Sequence, residues 1–161
     1  MDTPTAAQLF DRHHLALFRY AYRLTGRRDV AEDVVQDVFL RVVRGLDHYQ
    51  TIGREAAWLF TIARRLLVDR HRALERQPPP LGDSTDISVP AHQDRSVALA
   101  EALAGLREAE RDAFLLREIG GLSYDEIALV SHTTPDSVRS RIYRARVSLK
   151  AILSSTTQVP S

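Results

Sequence analysis

The stretch Ser123-Tyr-Asp-Glu-Ile-Ala-Leu-Val-Ser-His-Thr-Thr-Pro-Asp-Ser-Val-Arg-Ser-Arg-Ile-Tyr-Arg-Ala-Arg146 carries two helix starts in close succession, and their spacing decides the fold of the second half. Ser123 and Glu126 have the Ser-x-x-Glu form of a capping box, in which the serine oxygen accepts from the Glu126 N–H while the glutamate reaches back to the serine N–H. The helix they open can hardly pass His132, because Thr134-Pro135 supplies a second N-cap followed by proline at the first helical position, where a missing N–H costs nothing. A longer helix then runs to about Leu153. Short helix, tight turn and longer basic helix make a helix-turn-helix. At 100° per residue, Val138, Ile142, Ala145 and Leu149 fall on one face of the last helix, Ser140 and Tyr143 opposite, and Arg139 and Arg144 at their sides. Arginine binds guanine O6 and N7 bidentately, serine takes a base or phosphate, and tyrosine packs on a thymine methyl, so the outward face has the composition of a major-groove probe.

Working outward, an amphipathic segment from about Val97 to Leu106 and a helix from Arg107 to Ile119, stopped by Gly120-Gly121, precede the motif. Gln77 to Arg95 resists any periodic reading: it holds Pro78-Pro79-Pro80, Gly82, Pro90 and the acids Asp83, Asp86 and Asp94, and reads as a linker. Before it, Leu9–Thr25 repeats apolar residues at helical spacing and ends at Gly26, which suits a C-cap. Asp29–Arg44 carries a Val30, Val34, Val38, Val42 stripe with acids in its first turn and arginines in its last. After a break at Gly45–Gly53, a third helix from Glu55 to Arg76 buries Trp58, Leu59, Ile62, Leu66 and Leu67. No alternating β-branched run is long enough for a strand. The expected fold is all-α, with two small helical domains, residues 1–76 and 96–161, joined by a flexible linker at 77–95.

Of 161 residues, 44% are apolar, enough for a core. Neither a secretory signal nor a run of about 18 apolar residues is present, so a cytoplasmic location without membrane insertion is expected. With no cysteine, disulfides and thiolate zinc sites are excluded. The net charge of +1 hides a segregation: residues 1–76 hold 13 Arg against 10 acids, 77–133 hold 10 acids against 4 Arg, and 134–161 hold 5 basic groups against Asp136 alone. Two separated basic pieces are what two modules touching a phosphate backbone require. Arginine makes up 21 of the 22 basic residues, which suits phosphate and guanine recognition but is equally the product of a GC-rich coding bias.

The third helix adds Arg64, Arg65, Arg70, Arg72 and Arg76, close to Tyr49 and the Gln50-Thr51-Ile52-Gly53 loop, a basic and aromatic neighbourhood suited to unstacked bases. Trp58 is better read as core. Asp29 and Glu32 compensate a helix dipole, whereas Asp33, Gln36 and Asp37 lie away from the valine stripe, where a docking face and a solvated face are equally good readings. Phosphate-loop, His-Glu-x-x-His and Gly-x-Ser-x-Gly motifs are absent, and the six histidines show no ligand spacing, so no catalytic residue, metal site or cofactor is implied. The basic helix by itself also fits a dimeric helix-turn-helix regulator on palindromic duplex, or an adaptor that binds only proteins.

Three segments carry a family resemblance. Asp29-Val-Ala-Glu-Asp-Val-Val-Gln-Asp-Val-Phe-Leu-Arg41 resembles the segment of extracytoplasmic-function (ECF) sigma factors that docks on the β′ clamp helices of RNA polymerase. Trp58-Leu-Phe-Thr-Ile-Ala-Arg-Arg-Leu-Leu-Val-Asp69 is similar to that family's minus-10-reading helix, and Phe114 to Arg146 to its minus-35-reading domain. The resemblance implies a sigma factor that engages core polymerase through the β′ clamp helices and β flap, binds promoter DNA, and answers to an anti-sigma factor. It puts Asp33, Gln36, Asp37 and Phe39 on the polymerase surface, and Tyr49, Gln50, Thr51 and Gly53 in a loop that captures a flipped base. Arg65 and Asp69 fall beside the melted element, Arg117 on the DNA backbone, and Arg139, Ser140, Tyr143 and Arg144 in the groove. Arg65 stands where the family often has Asn, Glu55 where an aromatic is common, and His132 where the turn often has Gly; histidine is among the residues that tolerate positive φ there. The nineteen linker residues reach about 60 Å, comparable with roughly 17 base pairs of duplex.

Overall fold

The structure, a computed structural model, describes residues 4–49, 54–76 and 93–157, and every regular element among them is a helix. In order these are α1 (Ala6–Thr25), α2 (Arg28–Tyr49), α3 (Glu55–Arg76), α4 (Gln93–Ala104), α5 (Glu108–Glu118), α6 (Tyr124–Ser131) and α7 (Pro135–Thr157). The linker proposed at 77–95 lies mostly outside the described residues, although α4 already begins at Gln93.

The first unit is α1 packed along α2, with α3 across both. α1 starts earlier than the apolar periodicity indicates, because Thr5 and Gln8 form a reciprocal capping box; it ends at Gly26, whose φ of 70 is the left-handed conformation expected of a C-cap. α2 does not stop at Arg44 but bends at Gly45, where φ leaves the helical range, and resumes to Tyr49. Leu17, Ala21, Val34, Val38, Val42 and Leu59 are fully buried, as are Tyr20 and Phe60, which lie where this unit meets the second.

The second unit follows the spacing of its caps. Ser123 accepts from Glu126 N at 3.1 Å and donates its own N–H to Glu126 Oε1 at 3.0 Å, starting α6. His132 closes it in the left-handed region at φ 55, and Thr134 caps α7 by accepting from Ser137 N at 3.1 Å. Val138, Ile142, Ala145 and Leu149 are all buried, as the 100° wheel requires. Burying a side chain of Leu or Ile size contributes about 1.5–3 kcal/mol, so this stripe alone fixes the rotation of α7 about its axis.

The two units are not independent. α1 touches α5 and α3 touches α6, and one carboxylate closes the seam: Asp112 accepts from the Tyr20 hydroxyl at 2.5 Å and from Arg64 Nε at 2.7 Å. Burial, followed by the Asp112 charge and hydrogen bond, holds the Tyr20 hydroxyl well above its ordinary pKa, only partly opposed by Arg64. Gly120 completes the seam. A Cβ there would sit 2.6 Å from the Leu116 carbonyl oxygen and 3.2 Å from the Phe60 ring, so only glycine permits this approach. Phe60 in turn meets Tyr20 edge to face at 5.3 Å.

Candidate nucleic-acid and polymerase interfaces

The outward face of α7 carries Arg139, Ser140, Tyr143 and Arg144, all exposed, with Tyr143 at 69%. The structure therefore brings together the four groove-reading positions expected from the sequence. It also gives two of them anchors that periodicity cannot show. Arg144 Nε lies 3.1 Å from Oε1 of the buried Glu110 on α5, which fixes the stem of the arginine while the side chain stays 58% exposed. Arg139 pairs with Asp136 one turn earlier at 3.3 Å. Arg117, at the end of α5, donates to the Leu122 carbonyl at 2.9 Å, and its guanidinium sits 5.0 Å from the Tyr124 ring centroid; Arg139 sits 5.7 Å from the same ring. Tyr124 was missed by sequence reasoning, because its partners lie on two other helices and no intrahelical spacing connects them.

On α3, Arg65 and Asp69 are both exposed and one turn apart, forming a common outward face. Two of the five arginines on this helix are held by acidic partners. Arg64 is turned inward to Asp112, and Arg70 lies 3.8 Å from Asp33 and 3.5 Å from Asp37. Burial alone lowers the Arg64 pKa, but the Asp112 hydrogen bond and charge, helped by Tyr20 and Glu108, raise it overall. Trp58 is core, 8% exposed. Tyr49 closes α2, whereas Gln50, Thr51, Ile52 and Gly53 lie outside the described residues.

Glu55 links the start of α3 to α1. Arg12 reaches it at 3.1 Å and His13 at 2.5 Å. Partial burial pushes this carboxyl up, but the hydrogen bonds from His13 and Arg12 and their charges outweigh it and hold it below the ordinary carboxylate range.

On α2, Asp33 and Gln36 are exposed and Asp37 is partly so, making a polar row beside an open apolar groove of about 510 Å³. Phe10, Leu15, Phe18, Leu40 and Val43 line it, and Phe10, Leu15, Leu40 and Val43 are exposed. Phe39, expected on the polymerase surface, is set low in this groove. It is only 9% exposed, with its ring edge-on to Phe10 at 5.0 Å, because it shares the row of Val35 and Val42 that faces α1. Phe39 is the floor of this surface, and Leu40 is its exposed apolar neighbour.

Among the described residues, no three His, Cys, Asp or Glu side chains gather as metal ligands, and no helix is long and apolar enough to cross a membrane.

Comparison with known proteins agrees with this layout. Residues 9–77 match the family described as sigma-70 region 2, and residues 96–149 match sigma-70 region 4. The two units are thus the two kinds of region that define a sigma-70-type initiation factor. ECF RNA polymerase sigma factor SigL of Mycobacterium tuberculosis is 35% identical, with 90% of this chain and 86% of the relative covered. ECF RNA polymerase sigma factor SigE of Mycolicibacterium smegmatis is 36% identical over 93% of this chain, which spans 62% of that relative's length. Among solved structures, CnrH in complex with the cytosolic domain of CnrY superposes with a TM-score of 0.74 at 29% identity, covering 93% of this chain and 88% of the other. The sigma factor RpoE in complex with the anti-sigma factor NepR from Bartonella quintana gives 0.75 at 26% identity, covering 92% and 96%. The chain belongs to the ECF sigma factors of the sigma-70 family.

Proposed function

We propose that this chain directs core RNA polymerase to promoters by binding alone, without covalent chemistry: α2 docks on the polymerase β′ clamp helices, α7 reads the minus-35 duplex, and the first unit holds the melted minus-10 strand. The observation that carries this reading is the placement of unlike surfaces on one chain. Asp33, Gln36 and Asp37 form an acidic polar face with an apolar groove beside it, and Arg139, Ser140, Tyr143 and Arg144 form a basic face on the outer side of a helix-turn-helix. The first suits a protein partner of complementary charge, and the second a major groove. Binding of palindromic duplex by a dimeric regulator does not itself call for the acidic face.

In the minus-35 contact, Arg117 holds the backbone, while Arg139, Ser140, Tyr143 and Arg144 take base edges. In the minus-10 contact, Arg65 and Asp69 line the strand, and Tyr49, Gln50, Thr51 and Gly53 capture an extruded base, its loss of stacking offset by aromatic contact. The division into unit 1–76, linker 77–95 and unit 96–161 gives the reach: the seam at Asp112 holds the units side by side, so engaging both elements requires them to part. The second unit then meets the β flap. The Bartonella relative was solved with an anti-sigma factor, and we extend that kind of partner to this chain, acting in the cytoplasm.

The test is co-sedimentation of the full chain with core polymerase, followed by selection of promoter fragments by the complex. Recovery of fragments sharing two spaced motifs is expected; binding of palindromic duplex without polymerase would overturn the reading.

A further inference from the structure

We infer that Tyr124 is a positioning residue for promoter reading: its ring seats Arg117 of α5 and Arg139 of α7 together and presents both guanidinium groups to one stretch of DNA backbone and groove. The inference rests on the assignment of α7 to duplex DNA and adds a residue which that assignment does not contain.

The two arginines are 22 positions apart in sequence, and both are exposed, the Arg139 side chain at 65%. Left to themselves, two long cations on neighbouring helices would repel each other and sample many rotamers, and binding DNA would then require freezing both. Tyr124 opposes this. Its half-buried ring lies 5.0 Å from the Arg117 guanidinium carbon and 5.7 Å from that of Arg139, within cation–π range of both.

The ring itself is held. Tyr124 is the first residue of α6, directly after the Ser123–Glu126 capping box, and its inner edge packs on the core. The second tether of each arginine leaves donors free: Arg117 gives one N–H to the Leu122 carbonyl, and Arg139 gives one to Asp136. Each guanidinium has five donors, so both keep several for phosphate oxygens or a guanine edge. A base-reading and a backbone-holding arginine are thereby coupled through one aromatic ring, whose π face does the work and whose hydroxyl is not required.

That distinction makes the proposal testable in the full chain bound to core polymerase, by titration with a labelled upstream promoter duplex across a salt series. Two exposed cation–π contacts of about 0.5–1 kcal/mol each set the upper limit on the ordering the ring supplies before binding, so losing both weakens affinity by up to roughly 5- to 30-fold. Tyr124→Leu is expected to show that loss, with the salt slope reduced by up to about one unit for each phosphate contact no longer made. Tyr124→Phe, which keeps the ring, is expected to stay within about twofold of the unmodified protein and to keep its salt slope. In an Arg117→Ala, Arg139→Ala background, Tyr124→Leu should cost less than about twofold more, because nothing remains to be seated.

Equal losses for Tyr124→Phe and Tyr124→Leu would overturn the proposal in favour of direct contact by the hydroxyl. So would an undiminished Tyr124→Leu loss in the double-alanine background. If Tyr124→Leu does not fold, Tyr124→Phe together with the arginine single and double variants still decides: the two alanine losses must be less than additive, and strict additivity would refute coupling. Failure of the unmodified complex to bind any promoter duplex would refute the assignment of α7 instead.

Discussion

Replacing Asp112 by alanine tests the seam between the two units most sharply, because one carboxylate serves a partner on each of two first-unit helices. Asp112 is 8% exposed and accepts from Tyr20, which is completely buried, and from Arg64, whose side chain is 29% exposed. Without it, the Tyr20 hydroxyl stays buried and loses its Asp112 acceptor, which costs about 1–3 kcal/mol. Stranding a fully buried cation costs about 3–5 kcal/mol, but Arg64 can swing toward water, so its share is nearer 1 kcal/mol. The expected total is about 2–4 kcal/mol. Tyr20→Phe leaves Asp112 paired with Arg64 and should cost only about 1 kcal/mol. Chemical denaturation followed by both tryptophan fluorescence and far-ultraviolet circular dichroism is the assay, since Trp58 lies in the first unit and the helices lie in both. The unmodified chain should unfold in coincident transitions, while Asp112→Ala should shift the midpoint and separate the two signals as the second unit loosens first. A loss below about 0.5 kcal/mol with coincident transitions would refute the account of the seam.

Three further outcomes follow from the remaining surfaces. Asp33→Arg with Asp37→Arg should abolish pull-down of core polymerase while the helices stay folded; full binding by a folded double variant would remove α2 from the interface. Arg144→Ala should cost about 1–3 kcal/mol and relax selection at one or two adjoining base pairs, and equal losses on all promoter variants would reduce it to a phosphate contact. Because the Glu55 carboxyl is held below the ordinary carboxylate range in the folded chain, its contribution is complete above the unfolded-state pKa and is lost as pH falls through the folded-state one. The stability gap between the unmodified protein and Glu55→Gln should therefore shrink in acid urea titrations, and a gap that ignores pH would contradict the clamp by Arg12 and His13.

The helices were legible where local chemistry decides them. The Ser123–Glu126 box, the Thr134-Pro135 start and the α7 wheel depend on contacts within a few residues, and each stands in the structure as the spacing requires. The turn at His132 shows the same locality, since a short helix followed closely by a capped one leaves few conformations for the residue between them. What could not be read was tertiary. Arg64 and Arg65 are adjacent arginines on one helix, yet one is consumed by Asp112 and the other faces water, a difference set by a partner 48 positions away. Phe39 and Leu40 likewise exchange roles because α1 packs against one side of α2, so the exposed member of an apolar pair follows from helix packing rather than composition. Tyr124 shows the same limit, since its two arginines converge only when α5, α6 and α7 are assembled.

The central claim is promoter-directed initiation, and run-off transcription with purified core polymerase tests it most directly. The full chain would be added to core enzyme on a library of templates carrying varied minus-35 and minus-10 elements at varied spacing. Discrete transcripts should depend on the added chain, require both elements at a fixed separation, and vanish with Asp33→Arg and Asp37→Arg. Transcription no greater than that of core polymerase alone on every template, by a folded chain that binds the same enzyme, would contradict the account.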